Sequence, residues 1–261
     1  MLNREYKRKL IELASSFLIL FVISTGSFID NFNFTKNDSN IIKYPPFPIN
    51  TSSNDPPNKN YFTCYKTITI PHENVFGSGS YKNFPVLISI LDSDLHDDVQ
   101  SNGNDIAFAN DTDWLDHEIE HFNQSYSGTH AQLIAWIRIP NLSTAVNTTI
   151  YMYYGNSTMS SRQNPTGVWD SSYKGVWHLS ESSGSALDST SYSTSGGITP
   201  TVTRGATGEI DGAYDFGDGS QINFGDPGHL DFGTGSFTIS FWINIDDNTG
   251  NYQLPIYKGA A

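Results

Sequence analysis

Ala131-Gln132-Leu133-Ile134-Ala135-Trp136-Ile137-Arg138-Ile139-Pro140 sets Ala131, Leu133, Ala135, Ile137 and Ile139 in one alternating row, against Gln132, Ile134, Trp136 and Arg138 in the other. Successive side chains of a strand point to opposite faces, so this period reads as a strand with a buried side. Related runs lie on both sides of it. Thr67-Ile68-Thr69-Ile70 alternates, and Thr148 to Tyr154 reads as a strand closed by Gly155-Asn156. Phe84 to Leu91 is nearly continuous apolar, the pattern of a strand buried on both faces. The clearest strand is Ser236 to Asp246, with Phe237, Ile239, Phe241, Ile243 and Ile245 facing one way and Thr238, Ser240, Trp242 and Asn244 the other. Turn signals such as Ser101-Asn102-Gly103-Asn104 and Ser125-Tyr126-Ser127-Gly128 separate the runs. Short strands between frequent turns predict an all-β chain built as a sandwich or barrel.

Composition narrows the function classes. The 261 residues carry Asp+Glu 27 against Lys+Arg 14, a formal charge of −13. That balance repels phosphate backbones and argues against nucleic acid as a partner. Only 16% of residues are charged while 13% are aromatic, a mixture suited to short strands over aromatic-filled cores. Cys64 is the one cysteine, so no intrachain disulfide can form.

The N-terminus speaks to compartment. Arg4, Lys7, Arg8 and Lys9 precede an uncharged run from Leu13 to Ile29, followed by Asp30. A basic start ahead of a short apolar core describes a secretory signal peptide, with an uncleaved membrane anchor as the alternative. Both place the chain from Asp30 onward outside the membrane, so the expected location is secreted or cell-surface, with membrane contact only through residues 1–29. Residues 30–60 are rich in Asn, Ser, Asp and Pro and read as a disordered spacer. Eight N-x-[ST] acceptors start at Asn33, Asn37, Asn50, Asn110, Asn123, Asn141, Asn147 and Asn156, glycan sites in principle on an exported chain.

Three strings in the middle of the chain carry a more specific signal: Asp105-Ile106-Ala107-Phe108, Leu115-Asp116-His117-Glu118-Ile119-Glu120 and Tyr153-Tyr154-Gly155-Asn156. Together they resemble the domain of unknown function that stands directly ahead of laminin-G-like, concanavalin-type jelly rolls in prokaryotic surface proteins. The resemblance runs from about Phe62 to Asn156. Beyond it, Gly175-Val176-Trp177-His178-Leu179, Asp211-Gly212-Ala213-Tyr214-Asp215-Phe216 and Gly235 to Trp242 resemble the first part of such a jelly roll. The resemblance implies two β-sandwich (jelly-roll-like) modules, at 61–156 and 173–261, joined by a polar linker at 157–172. It also implies that the second module is truncated at Ala261.

Few residues have the pattern of chemistry. His117-Glu118-Ile119-Glu120-His121 matches the H-E-x-x-H zinc-protease string, which needs both histidines on one helix face with a further ligand downstream. Phe122 to Ser127 supplies no such ligand. A strand would put the two histidines on the same face but roughly 13 Å apart, too far for one zinc. No zinc is expected. His117 and Glu118 stay as a candidate polar binding pair, set against a structural hydrogen-bond network. Aromatic faces suit sugar stacking, which makes Trp242 a candidate and draws attention to Tyr151 and Tyr153 on one strand face. Asp188, in Leu187-Asp188-Ser189-Thr190, resembles the acidic loop that holds calcium in laminin-G-like folds, so calcium is the candidate cofactor. The expectation is a non-catalytic recognition protein whose partners are surface glycans or glycoproteins. The alternatives are a spacer in a long surface protein and an accessory part of a secreted hydrolase.

Overall fold

The computed structural model describes residues 21–24, 42–43, 61–245 and 254–259. The expected leader and spacer fall outside these, apart from two short strands, β1 (Phe21–Ser24) and β2 (Ile42–Lys43). Among the described residues no helix is long and apolar enough to cross a membrane.

The first unit is a sandwich of two antiparallel sheets. One contains β2, β3 (Cys64–Ile70), β9 (Thr148–Tyr154), β5 (Ala107–Ala109) and β6 (Trp114–Leu115), in that order. The other runs β4 (Ser80–Asp92), β8 (Ala131–Ser143), β7 (His117–Asn123). The alternating row of β8 (Ala131, Leu133, Ala135, Ile137, Ile139) is fully buried between the sheets. It meets Val86 and Ile88 from β4 and Ile70, Phe108, Ile150 and Met152 from the opposite sheet. Burying a side chain of this size contributes about 1.5–3 kcal/mol, so this layer is the main apolar term holding the unit together.

The apolar run on β4 is buried more deeply on one face than on the other. Val86, Ile88 and Asp92 turn into the sandwich, whereas Leu91 is 48% exposed. Among the described residues β4 is an edge strand, with β8 as its one neighbour, and its outer row is covered unevenly: Pro85 is buried and Leu87 half-buried, while Ser89 and Leu91 are exposed. Pro85 fits that position, since an edge strand tolerates a residue that cannot donate to a ladder.

The second unit is built from smaller pieces. β12 (Val202–Thr207) pairs with β13 (Gly212–Phe216), and β11 (Gly197–Ile198) with β14 (Ile222–Asn223). β1 pairs on its two sides with β10 (Gly175–Trp177) and β15 (Thr238–Ser240). Trp177, Leu179, Ala186, Val202 and Tyr214 form its core, with the Trp177 and Phe224 rings 4.2 Å apart. The long strand expected over 236–246 is regular only at Thr238–Ser240, where it meets β1. Ile239 and Phe241 pack on the core, while Phe237, Ile243 and Ile245 stay exposed. An alternating row becomes a full strand only where a neighbour completes the ladder.

The expected linker is an ordered strap. Residues 157–172 run beside β7, the free edge of the three-stranded sheet. Asn164 N donates to His117 O at 2.9 Å, and Ile119 N donates to Gln163 Oε1 at 2.7 Å. Pro165–Val168 forms one helical turn, and Val168 and Trp169 are fully buried. The segment reads as polar because its ends are polar. Two buried residues in its middle anchor it.

Candidate functional site

The strap brings together the polar residues singled out on β7. The register between β7 and β8 shifts between Ile119 and His121, which marks a β-bulge. A bulge adds one residue to one strand and re-aims the side chains beyond it. His117 lies before it and points into the first core, its ring 5.2 Å from Phe108 in an edge-on contact. Ile119 and Phe122 pack against the same core. Glu118, Glu120 and His121 reach the other way, toward the second unit. The expectation that His117 and His121 share a face is therefore corrected, because the bulge breaks the two-residue period between them. His121 Nδ1 instead pairs with Asp211 at 2.9 Å.

Glu118 is the centre of the arrangement. Its Oε2 accepts from Trp169 Nε1 at 2.6 Å and from His178 Nε2 at 3.1 Å, and its Oε1 accepts from Ser189 Oγ at 2.6 Å. Glu120 Oε2 accepts from Trp136 Nε1 at 2.6 Å and lies 3.2 Å from His178 Nδ1. The latter contact is an ion pair without hydrogen-bond alignment. His178 is thus held between two carboxylates. Trp136, Trp169 and Tyr173 wall the cluster, with Trp136 and Trp169 ring centroids 5.1 Å apart.

The electrostatics follow from this packing. Burial alone would raise the Glu118 carboxyl, but the hydrogen bond and charge of His178, with Ser189 and Trp169, hold it below the usual carboxylate range. Burial likewise disfavours the charged form of His178, yet Glu120 and Glu118 push it well above the ordinary imidazole value. His117 has no such partner. Desolvation lowers it to about 4, so it is a neutral core residue, with Nδ1 3.3 Å from Leu115 O and a buried Nε2 that meets no partner among the described residues.

Asp105 and Asp188 close backbone in the same manner. Asp105 accepts from Gln100 N, Gly155 N and Asn156 N, tying the end of β9 to the loop after Val99. Gly155 is required there. Its φ is +86°, and an added Cβ would lie 2.2 Å from Thr63 Oγ1. Asp188 Oδ1 accepts from Val176 N and Thr190 N, and Oδ2 from Thr190 Oγ1 and Thr194 N. Four donors on one carboxylate make Asp188 the pin of its loop. A cation bound there would have to displace some of them.

Of the residues singled out in the sequence, Glu118 and Asp188 come to one seam through neighbouring Ser189. His117 faces the opposite way. Trp242 stands apart, 38% exposed beyond β15. Trp169, His178 and Ser189 complete the Glu118 cluster; Trp169 carries no sequence signal, and the strings that hold His178 and Ser189 do not point to Glu118, because it lies more than 50 residues away. The arrangement does not form a nucleophile–base relay. The Ser189 hydroxyl donates to the carboxylate and not to an imidazole, and the cluster is closed by tryptophan on its walls. Among the described residues no three His, Cys, Asp or Glu are placed to hold a metal ion.

A separate surface carries the aromatics expected for sugar stacking. Tyr151 and Tyr153 lie on the outer face of the five-stranded sheet, together with Phe62, Tyr65 and Trp114. Tyr65 stacks on Tyr153 at 5.6 Å, and Trp114 meets Tyr153 edge-on at 5.5 Å. The Arg162 guanidinium lies 4.8 Å over Trp114, and Tyr151 donates to Asp111 at 3.0 Å.

No curated protein and no solved structure matches the chain. Residues 102–195 match the model of a family described as a domain of unknown function, DUF2341. That stretch starts in the first unit, takes in the whole strap, and ends beyond Asp188 and Ser189, so one match spans both sides of the Glu118 cluster.

Proposed function

We propose that the chain is a non-catalytic recognition module of an exported surface protein, binding carbohydrate or glycoprotein in adhesion or substrate capture. The outer aromatic face of the first unit carries this reading. Tyr65, Trp114 and Tyr151 are half-buried there, so their rings combine a fixed orientation with partial access. Phenol hydroxyls, the Asp111 carboxylate and the Arg162 guanidinium stand at its margin. Flat rings against sugar C–H surfaces, with polar groups at their edges for hydroxyls, are the chemistry such a ligand needs. The saturation of Asp105, Glu118 and Asp188 by donors supports a structural use of the most distinctive acidic residues.

A glycan array on the full chain tests this, with Trp114→Ala and Tyr151→Ala beside it. Loss of a glycan signal in both variants, with unchanged thermal unfolding, is the expected result. Running the array with and without a calcium chelator tests Asp188 at the same time. Clean silence from the well-folded chain favours the spacer reading, which the clamped joint between the two units also supports.

A further inference from the structure

A second buried ionic cluster lies inside the first unit, away from the joint and the aromatic face. Along β3 the inward row is Cys64, Lys66, Ile68, Ile70, so a lysine occupies a core position. Along β4 the inward row Val86, Ile88, Ile90 continues to Asp92. Lys66 and Asp92 are both buried, on facing sheets, with Lys66 Nζ directly on Asp92 Oδ2. Asp94 Oδ2 lies 2.6 Å from the same Nζ. Asp92 Oδ1 accepts from the backbone N–H groups of Asp94 at 2.9 Å and Leu95 at 3.3 Å. The Tyr154 ring stands 6.0 Å from Nζ and closes one side.

We propose that Lys66 and Asp92 condense into an intramolecular amide that staples the two sheets of the first unit, with Asp94 relaying the proton. The amine nitrogen and the carboxyl group are already in contact, which removes the orientational cost of a bimolecular reaction. A proton passes from the Lys66 ammonium to the Asp92 carboxylate, leaving a neutral amine facing a neutral acid. Nζ then forms a bond to Asp92 Cγ, and negative charge gathers on Oδ1, where the N–H groups of Asp94 and Leu95 already point. Asp94 takes a proton from Nζ and returns it to Oδ2. The Cγ–Oδ2 bond breaks and water leaves. Ammonium and carboxylate are consumed, amide and water are formed, and no oxidant or co-reactant is needed. In a chain with one cysteine, the cross-link supplies what a disulfide cannot.

Intact-mass measurement and tryptic mapping of the folded full chain test the proposal. The expected result is a mass lower by one water, resistance to trypsin after Lys66, and a branched peptide containing both Lys66 and Asp92. Lys66→Arg keeps the positive charge but should restore the full mass and the cleavage. Asp92→Asn should lose one ammonia in place of water, and Asp94→Ala should leave the chain unlinked though folded. Linear peptides only, from a folded chain of unreduced mass, overturn the proposal and leave an ordinary ion pair. Water loss that persists in Lys66→Arg also overturns it, because the dehydration then lies elsewhere.

Discussion

The seam between the sheets of the first unit and the seam between the two units both bury charge, but they do it with different residues. The first sets Lys66 against Asp92 and Asp94 on rows that otherwise carry aliphatic side chains. The second sets His178 between Glu118 and Glu120, walled by Trp136 and Trp169. Histidine is the side chain whose charge neighbouring groups move through the neutral range, so the second seam responds to pH. The sandwich is thus closed by aliphatic rows packed around one charged pair, while the joint carries its charge on an imidazole whose proton the neighbouring carboxylates hold.

Removing the acceptor at the joint should have the largest effect. Glu118→Ala strips Trp169, Ser189 and His178 of their shared partner and leaves Glu120 alone with the imidazolium. Breaking a buried pair by deleting one member costs about 3–5 kcal/mol. Denaturant unfolding followed by tryptophan fluorescence should show that loss, with the first unit retaining its own transition. A change below about 1 kcal/mol would mean that the cluster does not hold the units together.

Titration separates the two histidines. The folded value of His178 is raised, so its contribution is complete below the unfolded imidazole value and is lost as pH rises through the higher folded one. His117 has the opposite sign. Its folded value is lowered to about 4 from 6.5, so its neutral form supports the fold above 6.5. That support is lost as pH falls from 6.5 toward 4, and amounts to about 3 kcal/mol at full protonation. Nitrogen NMR of the imidazoles should find His178 still doubly protonated above pH 6.5 and His117 still neutral at pH 5. The reverse pattern would mean that the joint does not hold a charged imidazole.

Trp242→Ala should have the smallest effect. The side chain is 38% exposed, beyond β15. Surface substitutions away from special features usually stay within about 0.5 kcal/mol, and thermal unfolding checks this.

Much of the sandwich was legible in the sequence, since alternation on β3, β8 and β9 is local and each strand shows its own inward row. The joint was not. Glu118 stood out in a recurring string, but Trp169 and His178 acquire meaning only when the strap folds back. The bulge at Glu120 was equally hidden, because one inserted residue leaves the spelling of His117 to His121 unchanged while reversing which face His121 takes. Lys66 could have been found. Extending the Ile68, Ile70 row backwards by one step lands on it, and a lysine in an aliphatic row asks for a partner.

The strap has a consequence for how the first unit behaves in company. A sheet edge with unpaired N–H and C=O groups is a template for other chains, and proteins guard such edges. On β7 the guard is Gln163 and Asn164, which occupy Ile119 N and His117 O, with Trp169 set over the Glu118 side of the same strand. A first unit ending at Asn156 would carry every strand of its sandwich and still lack this cover. Its bare edge, with Trp136 no longer packed against Trp169, would invite pairing with a second copy. The sixteen residues that read as a polar linker, 157–172, are the cover of this edge.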